Sequence, residues 1–178
     1  LQTAYNADSG VNVNVIAKIQ NETSASKTLK VVAKLVSSNS VINEESLQNF
    51  TVEANSTSEA TINMSVVKPH MWNVNDPFLH QFVFEIYDGE NLIETKTIDY
   101  GFRFVNFDKD TGFSLNGSNL KLKGVCMHHD QGALGSKGYY DAMYRQVKIL
   151  KDMGVNSIRV THNPASRNLI DIANKEGI

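Results

Sequence analysis

Several features are scarce in this 178-residue chain, and each scarcity excludes something. A single cysteine, Cys126, leaves no internal disulfide framework and no multi-cysteine zinc cluster. No apolar run approaches the roughly 20 residues that a membrane-spanning helix needs, and no basic-then-apolar signal segment follows Leu1. Charge of either sign is not in excess: 17 basic side chains stand against 19 acidic ones, a net of −2, so there is no electrostatic footprint for nucleic acid or anionic lipid. What is present, 41% hydrophobic residues with three prolines and 11 glycines, is ordinary globular composition. The length suits one domain or two small ones, at about 100–200 residues each. The chain opens on Leu and closes just after a terminator-like Gly177, so it is expected to be a segment cut from something longer.

The first hundred residues alternate. Val11, Val13, Val15, Ala17 and Ile19 recur at the two-residue period of a half-buried strand, broken only by Ile16. The same period returns at Leu29, Val31, Ala33 and Leu35, at Ala60, Ile62, Met64 and Val66, and at Phe82, Phe84 and Ile86, with a further strand from Leu92 to Ile98. Turn-forming clusters such as Asn21–Ser24 and Ser37–Ser40 separate them. About seven short strands without a helical stretch predict an immunoglobulin-like antiparallel β-sandwich over residues 1–103.

Beyond residue 103 the period changes. A short strand pair is predicted around Phe113–Leu122, bent at Asn116-Gly117. Tyr140, Met143, Tyr144, Val147 and Leu150 then share one face of a helix that Gly154 would end. Apolar segments on either side of it, Leu122–His128 and Asn156–His162, read as buried parallel strands. A second helix is expected with Asn163 as N-cap and Pro164 at its first position, turning Leu169, Ile170 and Ala173 inward. The order is β-α-β-α, and His128 and His162 fall at equivalent carboxyl ends of neighbouring strands.

Ligands of parallel α/β folds gather at those carboxyl ends, so the candidates are His128, His129, Asp130, Arg159, Thr161, His162 and Asn163. Imidazole, carboxylate, guanidinium and amide groups without aliphatic tips suit a polyhydroxylated ligand, whose hydroxyls both donate and accept. Taken alone, His-His-Asp more often marks a loop or a satisfied strand end. Two His and a carboxylate could bind iron or zinc, but no spacing such as His-x-x-x-His accompanies them, and no metal is assigned. Arg159 lies in an otherwise apolar strand, and a buried guanidinium there would need carboxylate partners. An ideal strand puts it on the face opposite His162, unless a bend brings both to one mouth. Trp72 fits a loop anchor better than a sugar-stacking platform, and Cys126 is expected in the core.

The run Gly124–Gly132 (GVCMHHDQG), the helix end Leu150–Gly154 and the run Asn156–Pro164 (NSIRVTHNP) resemble the opening of the catalytic barrel in glycoside hydrolase family 2. Upstream, Trp72-Asn73, Asp76–Leu79 and Tyr100–Arg103 are similar to the immunoglobulin-like middle domain that leads into that barrel. The resemblance implies a sandwich over 1–103 followed at 104–178 by the first two β/α units of a TIM (β/α)8 barrel. It further implies that His128, Asp130 and His162 hold sugar hydroxyls and that Arg159 orients the nucleophilic carboxylate. His129 stands where relatives often have Glu, and the His-His-Asp version looks most like bacterial β-galactosidases.

The resulting expectation is a retaining exo-glycosidase, a β-galactosidase hydrolysing terminal β-galactosides, in which this stretch lacks the catalytic carboxylate pair. β-Glucuronidase or β-mannosidase activity of the same family is the alternative, and a non-catalytic carbohydrate-binding or structural sandwich module is the rival from another class. The implied partners are a carbohydrate substrate and the remaining domains of a parent chain, with self-association left open; no cofactor, metal, nucleic acid or membrane is expected. The compartment stays open between cytoplasm, periplasm and secretion, because Asn-x-Ser/Thr sites such as Asn21 and Asn55 arise by chance in so Asn-rich a chain.

Overall fold

The computed structural model describes residues 1–6 and 10–178, and the chain divides into two compact units, residues 1–70 with 80–100 and residues 71–79 with 101–178. Among the described residues the first unit holds seven strands: β1 (Gln2–Asn6), β2 (Gly10–Asn21), β3 (Lys27–Ser37), β4 (Ser40–Val52), β5 (Ser56–Val66), β6 (His80–Asp88) and β7 (Asn91–Tyr100). They form two antiparallel sheets, ordered β1-β2-β5 and β4-β3-β6-β7, the two-layer arrangement of an immunoglobulin-like sandwich.

Alternation explains the core. Val11, Val13, Val15 and Ile19 of β2 are buried, and the residue that broke the pattern, Ile16, is 38% exposed. Their neighbours on β5 are in register, with Val11 opposite Val66, Val13 opposite Met64 and Val15 opposite Ile62. Leu29, Val31, Ala33 and Leu35 of β3 and Phe82 of β6 complete the inner layer. β4 carries no such pattern: it is an edge strand with Val52 as its buried residue, and its partner register on β3 shifts twice. Buried His80 of β6 places Nε2 3.1 Å from the carbonyl of His70.

The second unit contains a three-stranded hairpin sheet of β8 (Val105–Asp108), β9 (Gly112–Leu115) and β10 (Ser118–Asn119). Asn116 and Gly117 both adopt left-handed backbone (φ 51° and 79°), the conformation that a two-residue hairpin turn requires. Next come β11 (Gly124–Met127), α1 (Tyr140–Asp152), β12 (Ser157–Val160) and α2 (Arg167–Glu176), with β11 and β12 parallel. Their pairing is clamped at its lower end by Asn156, which accepts from Lys123 N (2.7 Å) and donates to Lys121 O (3.0 Å). Gly124 lies close against its partner strand, since a Cβ would lie 2.6 Å from Ser157 Oγ, whose side chain would have to turn away.

Both helices cover one face of the two strands. Met143, Val147, Leu169 and Ile172 form the buried cluster, against which Met127, Ile158 and Val160 pack. Two expectations for α2 are corrected. Its N-cap is Ser166, whose hydroxyl accepts from Leu169 N, rather than Asn163; and Ile170 points outward, 49% exposed, while Ile172 takes the inward position. Residues 163–165 are occupied in leaving the strand, so the helix starts at the next side chain able to cap it. At the far ends of the helices Lys151 donates to Val74 O (2.6 Å) and Gly177 O (2.9 Å). Burial lowers its pKa, with Glu176 acting in the opposite sense.

Candidate functional site at two strand ends

Because β11 and β12 are parallel and in register, the residues that follow them emerge side by side. Thr161, buried, extends the pairing one step by donating its N–H to Met127 O at 2.8 Å. His128 follows β11 directly, and His162 follows Thr161 one register step further on. The rings of His128 and His162 meet edge to face with centroids 5.6 Å apart and planes at 64°. His162 has a left-handed backbone, φ 65°, so the strand is broken at that residue and its alternation of faces ends there. This is the bend that the sequence required if residues of opposite parity were to share a strand-end mouth. A non-glycine residue in this region carries strain that its surroundings must hold.

Cys126 and Arg159 are direct cross-strand partners, with Arg159 Nη1 3.9 Å from Cys126 Sγ. Both are exposed within residues 1–178, where no other described element lies over their face, so the burial expected for Arg159 among carboxylates and for Cys126 in the core is not seen in this chain. The helices cover only the face carrying Met127, Ile158 and Val160, so side chains of the other parity stand on the open face. In a closed barrel that face is the interior.

Asp130 is exposed and accepts from Gly132 N through Oδ1 (2.9 Å), which shapes the loop after β11. That loop contains a single 3-10 turn, Gly132–Leu134, and left-handed Gly132 and Gly135. Two of its polar atoms, His129 Nε2 and Gln131 Oε1, are buried with no hydrogen-bond partner among the described residues. Of the four candidate site residues, the structure brings His128 and His162 into contact, sets Arg159 one strand across from Cys126, and leaves Asp130 on the adjoining loop. Among the described residues, no group of three His, Cys, Asp or Glu side chains converges as metal ligands.

Sequence reasoning missed the residues that hold these loops. Asn168 donates from Nδ2 to Gly138 O (2.8 Å), and Ser166 Oγ lies 3.1 Å from Met143 Sδ. The available signal was Ser166 and Asn168, just after Asn163-Pro164, two short polar side chains able to satisfy backbone groups at a helix start.

What the cluster offers is an open, polar surface of two imidazoles, a carboxylate and a guanidinium at adjacent strand ends. Such a surface can bind a polyhydroxylated molecule by many hydrogen bonds. It does not present two facing carboxyl groups.

Comparison with known proteins agrees with this architecture. The family description "Glycosyl hydrolases family 2" matches residues 1–103, and "Glycosyl hydrolases family 2, TIM barrel domain" matches residues 107–178. The chain is 32% identical over 165 residues to "Beta-galactosidase BoGH2A" of Bacteroides ovatus, a match that covers 93% of the chain and 19% of that protein. It is 35% identical over 114 residues to a "Beta-glucuronidase" of Bacteroides fragilis, covering 64% of the chain and 16% of the relative. The chain therefore spans a fifth or less of the length of these two relatives. Among solved structures, a glycosyl hydrolase family 2 member from Bacteroides cellulosilyticus superposes with a TM-score of 0.91 at 28% identity, over 99% of this chain and 24% of that one. A Bacteroides uniformis beta-glucuronidase gives a TM-score of 0.92 at 24% identity, covering 99% and 22%, a likeness of fold alone.

Proposed function

Starting from the fact that this chain belongs to glycosyl hydrolase family 2, we propose that it supplies the immunoglobulin-like domain (residues 1–103) and the opening of the catalytic barrel (residues 104–178) of a retaining exo-glycosidase acting on terminal β-galactosides. The observation that supports it most directly is the meeting of His128 and His162 at the ends of adjacent parallel strands, with Asp130 on the following loop. In retaining hydrolysis one carboxylic acid protonates the leaving oxygen while a carboxylate about 5–5.5 Å away attacks the anomeric carbon. In this proposal His128, Asp130 and His162 hold hydroxyls of the terminal sugar, some of them through hydrogen bonds that strengthen as charge develops at the anomeric carbon. Arg159, on the open face, is the positive charge that keeps the attacking carboxylate ionised and aligned. The identity to the Bacteroides fragilis beta-glucuronidase supports a β-glucuronide as the second reading.

In the full-length enzyme, Asp130→Ala and His162→Ala should each lower kcat/KM ten- to a hundredfold, since losing one such contact costs about 1.5–3 kcal/mol. Parallel assays with aryl β-galactoside and aryl β-glucuronide decide the glycon. Thermal midpoints of both variants check that the fold is kept, since Asp130 accepts from Gly132 N and His162 has a left-handed backbone. Unaltered kinetics in both variants would take these residues out of the site.

A further inference from the structure

Within residues 1–178 the loop after β11, which carries Asp130, has few tethers to other elements. Three glycines, Gly132, Gly135 and Gly138, fall within seven residues, and glycine gives up more backbone freedom on ordering than any other residue. The near half closes on itself: Gly132 N bonds to Asp130 Oδ1, Leu134 N to Gln131 O, and Gln131 N to Gly135 O. From residue 129 to 138, among the described residues, a single hydrogen bond reaches another element, the one from Asn168 Nδ2 to Gly138 O at 2.8 Å. Asn168 stands in the first turn of α2, two residues after its N-cap Ser166 and six after His162. Gly138 is closely packed at that point, because a Cβ there would lie 2.9 Å from Met143 Cε and 3.4 Å from Ser166 Cβ.

We propose that Asn168 is a positioning residue, whose amide pins the loop bearing Asp130 to the helix that begins just beyond His162 and so holds the two strand-end loops as one binding mouth. The inference rests on the strand-end reading of the glycosidase site. Asn168 touches no substrate in this scheme; it acts through Gly138.

Asn168→Asp separates positioning from simple stability. The replacement is isosteric, but its ionised carboxylate cannot donate to Gly138 O and repels it. At the same position, in the first turn of α2, a negative charge favours the helix. The thermal midpoint of the variant should therefore match or exceed that of the parent, while kcat/KM for an aryl β-galactoside falls roughly three- to tenfold, the weight of one hydrogen bond. Protonation restores a donor, so the deficit relative to the parent should shrink as pH is lowered through the carboxyl's titration. Hydrogen exchange of the same full-length enzyme should quicken in residues 132–139 and not in α1. Unchanged exchange in that loop, or a kinetic deficit that does not respond to pH, would overturn the clamp. The exchange measurement needs no turnover, so an enzyme silent on both aryl glycosides would defeat the functional reading and still decide the clamp.

Discussion

The indole nitrogen of Trp72 donates to the carbonyl of Asn174, 2.7 Å away and 102 residues later in the chain. That carbonyl is one of the last four of α2, which have no partner within the helix. The rest of the indole is enclosed: the Arg103 guanidinium lies over the ring at 4.6 Å, and its Nη2 donates to Asn174 Oδ1 at 3.0 Å. Trp72 is thus a loop anchor, and it anchors the segment Met71–Leu79 to the strand-helix unit rather than to the sandwich strands that flank it in sequence. Trp72→Phe removes the donor and keeps most of the ring, so it should destabilise this unit by about 1–2 kcal/mol in urea unfolding. Gly101→Ala should be worse, because a Cβ would lie 2.8 Å from Trp72 Cβ, Cγ and Cδ1. A silent Trp72→Phe would mean that water replaces the indole without loss.

The sandwich carries a different sensitivity. His80 is almost wholly buried, and since a carbonyl can only accept, its contact with His70 O requires the proton on Nε2. Burial lowers its pKa below the usual 6.5, against the smaller raising effect of the His70 carbonyl; the nearby His70 ring also lowers it. Below pH 6.5 the unfolded chain takes up a proton that the native imidazole resists, so stability falls with pH from there down to the depressed native value. His80→Gln keeps a donor in a similar place and does not titrate. The urea midpoint of the wild-type chain should drop further between pH 7.5 and pH 5 than that of the variant; parallel curves would acquit His80.

How far the fold could be read depended on whether one face of each element was buried. β2, β3 and β5 were legible because Val11–Ile19, Leu29–Leu35 and Ala60–Val66 each lay one face in the core. β4 was not, because Val41 and Ile42 are exposed on an edge strand and no alternation survives in it. Within the candidate site the two histidines could be placed by the spacing of one strand-helix-strand unit. Their contact could not, since it depends on the left-handed backbone of His162, which no local pattern announces. Burial of Arg159 and Cys126 was expected from the apolar strands around them, but burial depends on what covers a face, and within residues 1–178 the helices cover the opposite one, carrying Met127, Ile158 and Val160.

The start of α2 gives a direct test of two competing local signals. Asn163-Pro164 has the form of an N-cap and first helical residue, yet Ser166 Oγ accepts from Leu169 N at 3.2 Å. Ser166→Ala should therefore lower stability by about 1 kcal/mol, the usual cost of losing a cap, and Asn163→Ala should change it by a few tenths at most. Thermal midpoints of the two variants, measured side by side, check this; a larger loss in Asn163→Ala would restore the cap to Asn163.

The 178-residue chain alone should have no glycosidase activity, and its carboxylates explain why. Retaining hydrolysis needs two carboxyl groups facing one glycosidic bond, one protonated and one ionised. Beyond Arg103 the sole glutamate is Glu176, in the last turn of α2 and 3.9 Å from Lys148. Asp108 shapes the β8–β9 turn by accepting from Asp110 N and Thr111 N, and Asp110 beside it pairs with Lys109. Asp152 and Asp171 pair with Lys148 and Arg167 one helical turn away, and Asp141 lies in the first turn of α1. Asp130 is left as the one carboxylate that follows a barrel strand. A single group cannot be acid and nucleophile in the same step, so the purified chain should leave an aryl β-galactoside at the buffer rate. Turnover that follows the 178-residue chain through gel filtration and disappears in Asp130→Asn would show that these two β/α units carry a complete mechanism, contrary to the division of labour argued from their geometry.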